Sequence, residues 1–198
     1  MHHPISENPV SALQAHQLRW LRLLGAYANA CPDEVQQLVL FGEFMRCHAD
    51  AAERTRAAGH LTGSAWLVSR DGKRALLTHH RKLERWLQPG GHADGDCDLA
   101  RVALREAGEE SGLTDLVVEP AIFDIDRHEI PARGTEPAHW HYDVRFVVRA
   151  TTNEAFVVGE ESHALAWREI APMPADQSAY DESLRRMAGK WLARARSA

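Results

Sequence analysis

The spacing of apolar residues divides the chain into two regimes. From Val10 to Ala57 they recur at helical intervals. Leu13, Leu21 and Leu24, with Leu18 nearby, form one stripe, and Val35, Leu38, Phe41 and Met45 form a second. Cys31-Pro32-Asp33 interrupts the run, and Asp33 suits the N-cap of the second helix, with Glu34 in its first turn. Gly59 suits a C-terminal stop. Residues 1–58 therefore predict two helices, or three, as an extension whose leucine and Trp20 stripe serves packing or a dimer seam.

From His60 the period becomes that of strands. Leu61–Val68 and Ala75–His79 read as strands either side of Asp71-Gly72, a hairpin signal. Trp86–Gln88 reads as a short strand ended by Pro89-Gly90-Gly91. Leu99–Ser111 is helical and Gly112 stops it. Leu116–Ile125 reads as strand, 126–138 as a polar loop with two prolines and a glycine, His139–Ala150 as an alternating strand, and Leu165–Glu169 as a last short one. Ser178 would cap a final helix whose Leu184, Met187, Trp191 and Leu192 share one face. Residues 59–198 thus predict an α/β chain with a mixed sheet.

Composition narrows the function classes. A length of 198 residues suits one domain with an appendage. The 44% apolar content, with six Trp, excludes a disordered chain. With 28 acidic and 23 basic residues the formal charge is −5, which lacks the basic footprint of a nucleic-acid-polymer or membrane-surface binder. No apolar stretch approaches the ~20 residues of a membrane span. The opening Met1-His2-His3-Pro4 has no basic n-region or apolar h-region. Cys31, Cys47 and Cys97 lack C-x-x-C spacing and read as reduced thiols, so a cytoplasmic setting is expected. Twelve histidines are more than this composition otherwise explains.

The segment from Gly90 to Leu113 carries the chemistry. Glu106, Glu109 and Glu110 stand at i, i+3 and i+4, on one face of the expected helix. Three carboxylates so close repel one another unless a cation sits among them. Oxygen donors favour Mg²⁺ or Mn²⁺ over zinc, and Mg²⁺ held by few carboxylates usually also binds substrate phosphates. Arg105, four positions before Glu109, can pair with it. The bland reading of such residues is a solvated, salt-bridged helix face. The preceding strand, the Pro-Gly-Gly turn and Gly112 weigh against it.

These residues resemble the Nudix box, G-x5-E-x7-R-E-U-x-E-E-x-G-U with U aliphatic. Gly91, Arg105, Glu106, Ala107, Glu109, Glu110, Gly112 and Leu113 match it in register, while Cys97 stands where the family has its first glutamate. The resemblance covers the box strictly and residues ~60–170 loosely, through strand order. It implies an α/β/α sandwich with a mixed sheet, preceded here by the helical extension. It also implies a metal-dependent hydrolase that cleaves the pyrophosphate bond of a nucleoside diphosphate linked to a moiety X, by water attack on phosphorus. Glu106 and Glu110 become the main metal ligands, Glu109 a ligand to a further metal or its water, and the Gly90 carbonyl completes the site. Glu161, in the polar turn Gly159-Glu160-Glu161-Ser162, resembles the loop acid that serves as base in many relatives, with Glu160 the alternative. The missing first glutamate touches Arg105 more than metal binding, and Asp96 or Asp98 would serve Arg105 instead. Cys97 keeps open an alternative, a Nudix-fold nucleotide-binding or regulatory domain with little turnover.

In His139–Phe146 the residues His139, His141, Asp143 and Arg145 share one face, and Trp140, Tyr142, Val144 and Phe146 the other. The aromatic face reads as core. The polar face would line the pocket opposite the box helix, binding phosphate or a second metal, or else be a water-facing edge. His92 directly follows Gly91 and joins His139, His141 and Asp143 as a candidate substrate contact, and His79 and His80 fall on a neighbouring segment. His-x-His is compatible with zinc, but no Cys or further His at finger spacing supports a structural site. The expected partner is a small nucleotide-type molecule, and the added helices are compatible with a homodimer.

Overall fold

Two strands are buried on both faces, and they lie side by side in the middle of the sheet: β1 (Gly59–Val68) and β6 (His139–Ala150), paired in parallel from Gly59↔Trp140 to Val68↔Arg149. This computed structural model describes residues 9–80, 84–158 and 162–197. The other elements are α1 (Pro9–Ala30), α2 (Val35–Cys47), β2 (Arg74–His80), β3 (Arg85–Leu87), β4 (Gly90–His92), α3 (Leu99–Ser111), β5 (Leu116–Ile130), β7 (Ser162–Glu169) and α4 (Glu182–Ser197). The main path of the sheet is β3-β2-β1-β6-β5, with β4 paired to β1 and β7 to β2. Apart from β1–β6 the pairings are antiparallel.

Helices cover both faces. Alternate residues of β1 point to opposite sides. Gly63 lies against Leu99 and Val102 of α3. Trp66 and Val68 instead join Val147, Phe123, Leu184, Met187 and Trp191 in a core under α4. The result is the α/β/α sandwich with a mixed sheet expected from the sequence. Among the described residues no helix is long and apolar enough to cross a membrane.

The chain forms two compact units, divided between Ala49 and Asp50 rather than between 58 and 59. Residues 50–58 lack the expected helix and belong to the sheet unit: Leu61 N donates to Ala51 O at 2.8 Å, and Gly95 N to Ala52 O at 3.0 Å. Gly59 therefore opens a strand instead of closing a helix. Its φ is +151°, and a Cβ there would lie 2.6 Å from Trp140 O. In the first unit the buried stripe is Trp20, Leu24 and Tyr27, while Leu18 and Leu21 are exposed. Asp33 sits within a 3-10 turn, Pro32–Glu34, and makes no cap for α2.

Three further boundaries differ. β5 runs five residues past the expected end at Ile125, to Ile130, and shortens the polar loop. Asp126 and His128 pair in register with Asp143 and His141, which places them beside a polar strand face. Gly90–His92 is a strand paired to β1, not only a turn. The cap of α4 is Asp181, whose Oδ1 accepts from Leu184 N at 2.9 Å, while Ser178 Oγ donates to Asp176 at 2.8 Å.

Candidate functional site

Both ends of α3 are fixed by local chemistry. Asp98 accepts from Arg101 N at 3.3 Å, and Gly112 takes the left-handed conformation, φ +70°, returning its N–H to Gly108 O at 2.8 Å. This register puts Glu106, Glu109 and Glu110 on neighbouring turns, and β4 meets them. Gly90 N donates to Glu110 Oε1 at 2.8 Å. A Cβ on Gly91 would lie 2.5 Å from the Glu106 carboxyl carbon, and one on Gly90 would overlap Ser64 Oγ. Gly91 is needed because the strand backbone itself borders the Glu106 carboxylate, and Gly90 because Ser64 of β1 lies against it.

Arg105 ties the group together. Its Nη2 lies 2.9 Å from Glu106 Oε1 and donates to His92 O at 3.0 Å, and its Nη1 reaches Glu109 Oε2 at 3.5 Å. Glu106 is mostly covered, at 14% side-chain exposure, whereas Glu109 is 61% exposed. One guanidinium against three carboxylates leaves net negative charge. The oxygen-only donor set fits a hard divalent cation such as Mg²⁺ or Mn²⁺.

The neighbours of the missing first glutamate have other partners as well. Asp96 forms a two-pronged pair with Arg101, 2.7 Å to Nε and 2.7 Å to Nη2. Those Arg101 hydrogen bonds hold its carboxyl below the usual range. Asp98 caps the helix. Arg105 turns to Glu106 and the His92 carbonyl instead. Burial, then the charges of Asp96 and Glu53, push the Cys97 thiol up, which opposes any nucleophilic role. Glu161 and Glu160, the expected base and its alternative, lie outside the described residues.

The polar face of β6 lies on the side of the sheet away from α3. Strand register sets it beside polar residues of β1 and β5. Asp143 is only 2% exposed. It accepts from Thr62 Oγ1 at 2.9 Å, Ser64 Oγ at 2.8 Å and Arg145 Nε at 2.7 Å. That set makes it a framework residue in place of the expected substrate contact. Arg145, equally buried, also pairs with Asp124 at 2.9 Å and Asp126 at 3.3 Å. Asp124 in turn receives Arg186 at 2.8 Å and Lys190 at 2.6 Å from α4. Three acids, Asp124, Asp126 and Asp143, thus face three bases, Arg145, Arg186 and Lys190.

At the end of the same face the histidines gather. His92, His139 and His141 meet His60 and His128. His79 and His80 lie elsewhere, on β2, where the His79 ring touches Trp86 at 5.1 Å and His163 at 5.8 Å. Trp86 packs against the α4-side core. His60 and His128 were not singled out from the sequence. Their signal is the pairing of His60 and His128 with His141 across neighbouring strands, which needs the register. Burial, then neighbouring histidines, lower the pKa of His60 and carry that of His141 down to about 2. Burial, then Arg54, lower that of His92.

Residues 60–187 match the family model of the NUDIX domain. Among solved structures, the Ap4A hydrolase of C. elegans in a binary complex is similar, with 18% identity, 70% of this chain and 98% of that one covered, and a TM-score of 0.55. The MutT protein of Methanosarcina mazei Go1 shares 17% identity over 71% of this chain and 97% of its own, with a TM-score of 0.54. A MutT NUDIX hydrolase from Burkholderia pseudomallei shares 23% over 67% and 97%, with a TM-score of 0.51. At these identities the likeness is one of fold. No curated protein matches the chain by sequence.

Proposed function

The chain belongs to the Nudix hydrolase family, and from that premise we propose that it is a Mg²⁺-dependent enzyme, with Mn²⁺ as the alternative ion, cleaving the pyrophosphate bond of a nucleoside diphosphate linked to X. The observation that carries this reading is the meeting of α3 with β4: Glu110 accepts from Gly90 N, Glu106 abuts Gly91, and Arg105 links Glu106 and Glu109 to the His92 carbonyl. Glu106 and Glu110 are the principal ligands in this reading, Gly90 completes the set, and the exposed Glu109 reaches toward substrate-side ion and water. When bound there, the divalent ion supplies neutralisation of the diphosphate oxygens and activation of the attacking water.

The chain's own residues supply the rest. Arg105 is a positioning residue: its bonds to Glu106 and the His92 carbonyl hold the carboxylate face against β4. Gly90 N donates to Glu110 Oε1 and so orients that carboxylate against β4. Proton removal from water is assigned to Glu161, on its likeness to the loop acid of relatives. The C. elegans relative is named for Ap4A hydrolysis, which makes dinucleoside polyphosphates one class to include in a test.

The test is a phosphate-release screen, coupled to a phosphatase, over ADP-ribose, dinucleoside polyphosphates, nucleotide sugars and nucleoside triphosphates with Mg²⁺ and with Mn²⁺. Turnover of at least one class, abolished by EDTA and restored by Mg²⁺, is expected. A flat response throughout would favour a binding domain with little turnover.

A further inference from the structure

His60 is the second residue of β1, His92 ends β4 and His141 lies near the start of β6. The register places all three on one face of the sheet: His60 is the partner of His141, and Thr62, two residues on from His60, is the partner of His92. One imidazole nitrogen from each falls within 4.8 Å of the other two. The ring centroids are 4.9 Å apart for His60–His92, 4.9 Å for His60–His141 and 5.2 Å for His92–His141. This cluster is built from three strands and is separate from the oxygen donors of α3.

The cluster has an unmet bonding demand. His60 is 3% exposed, and its Nδ1 faces Arg56 O at 3.5 Å. Its Nε2 is buried with no hydrogen-bond partner among the described residues. A carbonyl on Nδ1 favours the tautomer with the lone pair on Nε2, which is how histidine ligands are usually oriented toward a metal. His139 repeats the arrangement, with Nδ1 on Pro137 O at 3.0 Å and Nε2 only 3.3 Å from His141 Nε2. Packing five imidazoles together is unfavourable for protonated rings. It is favourable for neutral ones that share a cation.

We propose that His60, His92 and His141 bind a divalent transition-metal ion, zinc(II) by preference, at a site distinct from the box carboxylates. Neutral imidazole nitrogens suit zinc and its neighbours, whereas Mg²⁺ demands oxygen. The two sites therefore differ in donor hardness. Zinc–nitrogen bonds are about 2.0–2.1 Å, so ligands of one tetrahedral zinc stand roughly 3.3 Å apart. Small imidazole rotations close the present spacing. Three protein ligands leave a fourth position, which His139 borders on the His141 side. The ion would pin β4 to β1 and β6. β4 also carries Gly91 against Glu106, and its His92 carbonyl receives Arg105. Zinc loading thus braces the backbone wall of the hydrolytic site.

The test uses the full chain, stripped with a chelator, dialysed, and titrated with ZnCl₂ by calorimetry, followed by zinc X-ray absorption. One equivalent bound at micromolar or tighter affinity is expected, with about three imidazole nitrogens at roughly 2.0 Å. His141→Gln and, independently, the more accessible His92→Gln should each weaken zinc by about a hundredfold or more. Glu110→Gln should leave it unchanged. Circular dichroism identifies any variant that fails to fold, and the other then decides. No zinc binding, an oxygen-only absorption spectrum, or equal affinity in folded His92→Gln would overturn the proposal.

Discussion

At Gly91 the α-carbon faces the Glu106 carboxylate with no room for a methyl group. An alanine there leaves the strand backbone unstrained but forces the carboxylate aside, because the end of a glutamate moves more readily than a sheet. Gly91→Ala should therefore lower turnover by about 10²-fold, the usual scale of a misplacement near 1 Å. Its urea midpoint should stay close to wild type, and paired kinetic and denaturation measurements check both. The box residues were legible in the sequence because a helix converts i, i+3 and i+4 into one face. Of the partners of Arg105, Glu109 was legible from its i, i+4 spacing, whereas Glu106 and the His92 carbonyl were not. Asp96 and Asp98 flank Cys97 in the chain, yet one is captured by Arg101 and the other by the helix end, and loop geometry alone decides that.

Among the elements, α3 owes its position to Gly63. A Cβ at that residue would meet Leu99 O and Val102 Cγ1, each at 2.9 Å, and neither backbone nor a β-branched side chain yields cheaply. Gly63→Ala should destabilise the sheet unit by about 1–3 kcal/mol, as overpacking does, and reduce turnover as the carboxylate face shifts off β4. Urea unfolding followed by circular dichroism, with parallel rates, measures the two effects. The helix itself matched its expected bounds, Leu99–Ser111, since cap, period and terminal glycine agree. β5 was misjudged because Asp126 and His128 look like loop residues. Polarity marks a loop only when water is what the side chains meet.

Across the molecule, the buried ion network joins β5, β6 and α4. Asp124 is fully buried and serves three cations, so Asp124→Ala removes one anionic partner from each of Arg145, Arg186 and Lys190 and should cost about 3–5 kcal/mol. Burial alone would raise the carboxyl pKa of Asp124 and Asp126. For Asp124 the Arg186 hydrogen bonds and the Arg145 charge outweigh it, and for Asp126 the His128 hydrogen bond with Arg145 and Arg186 does so, holding both below the usual range. Their stabilisation is therefore full above about pH 3.9, the unfolded value, and is lost as pH falls below it. Urea midpoints should drop steeply below about pH 4 in wild type and less steeply in Asp124→Ala. None of this network, nor the histidine cluster, was visible as a unit beforehand. His60 and His141 are far apart in sequence and become neighbours only through a parallel pairing.

The α3 carboxylates are assigned here to hold the ion that hydrolysis needs. The direct measurement is the rate of hydrolysis against Mg²⁺ concentration for wild type and Glu110→Gln, on the substrate that wild type turns over fastest. Glutamine keeps an oxygen for the Gly90 N–H and removes the charge. Wild-type turnover should rise to saturation with Mg²⁺, and the variant should fall by roughly a hundredfold or more at saturation with its unfolding midpoint preserved. Equal turnover of the two proteins at saturating Mg²⁺ would contradict the assignment.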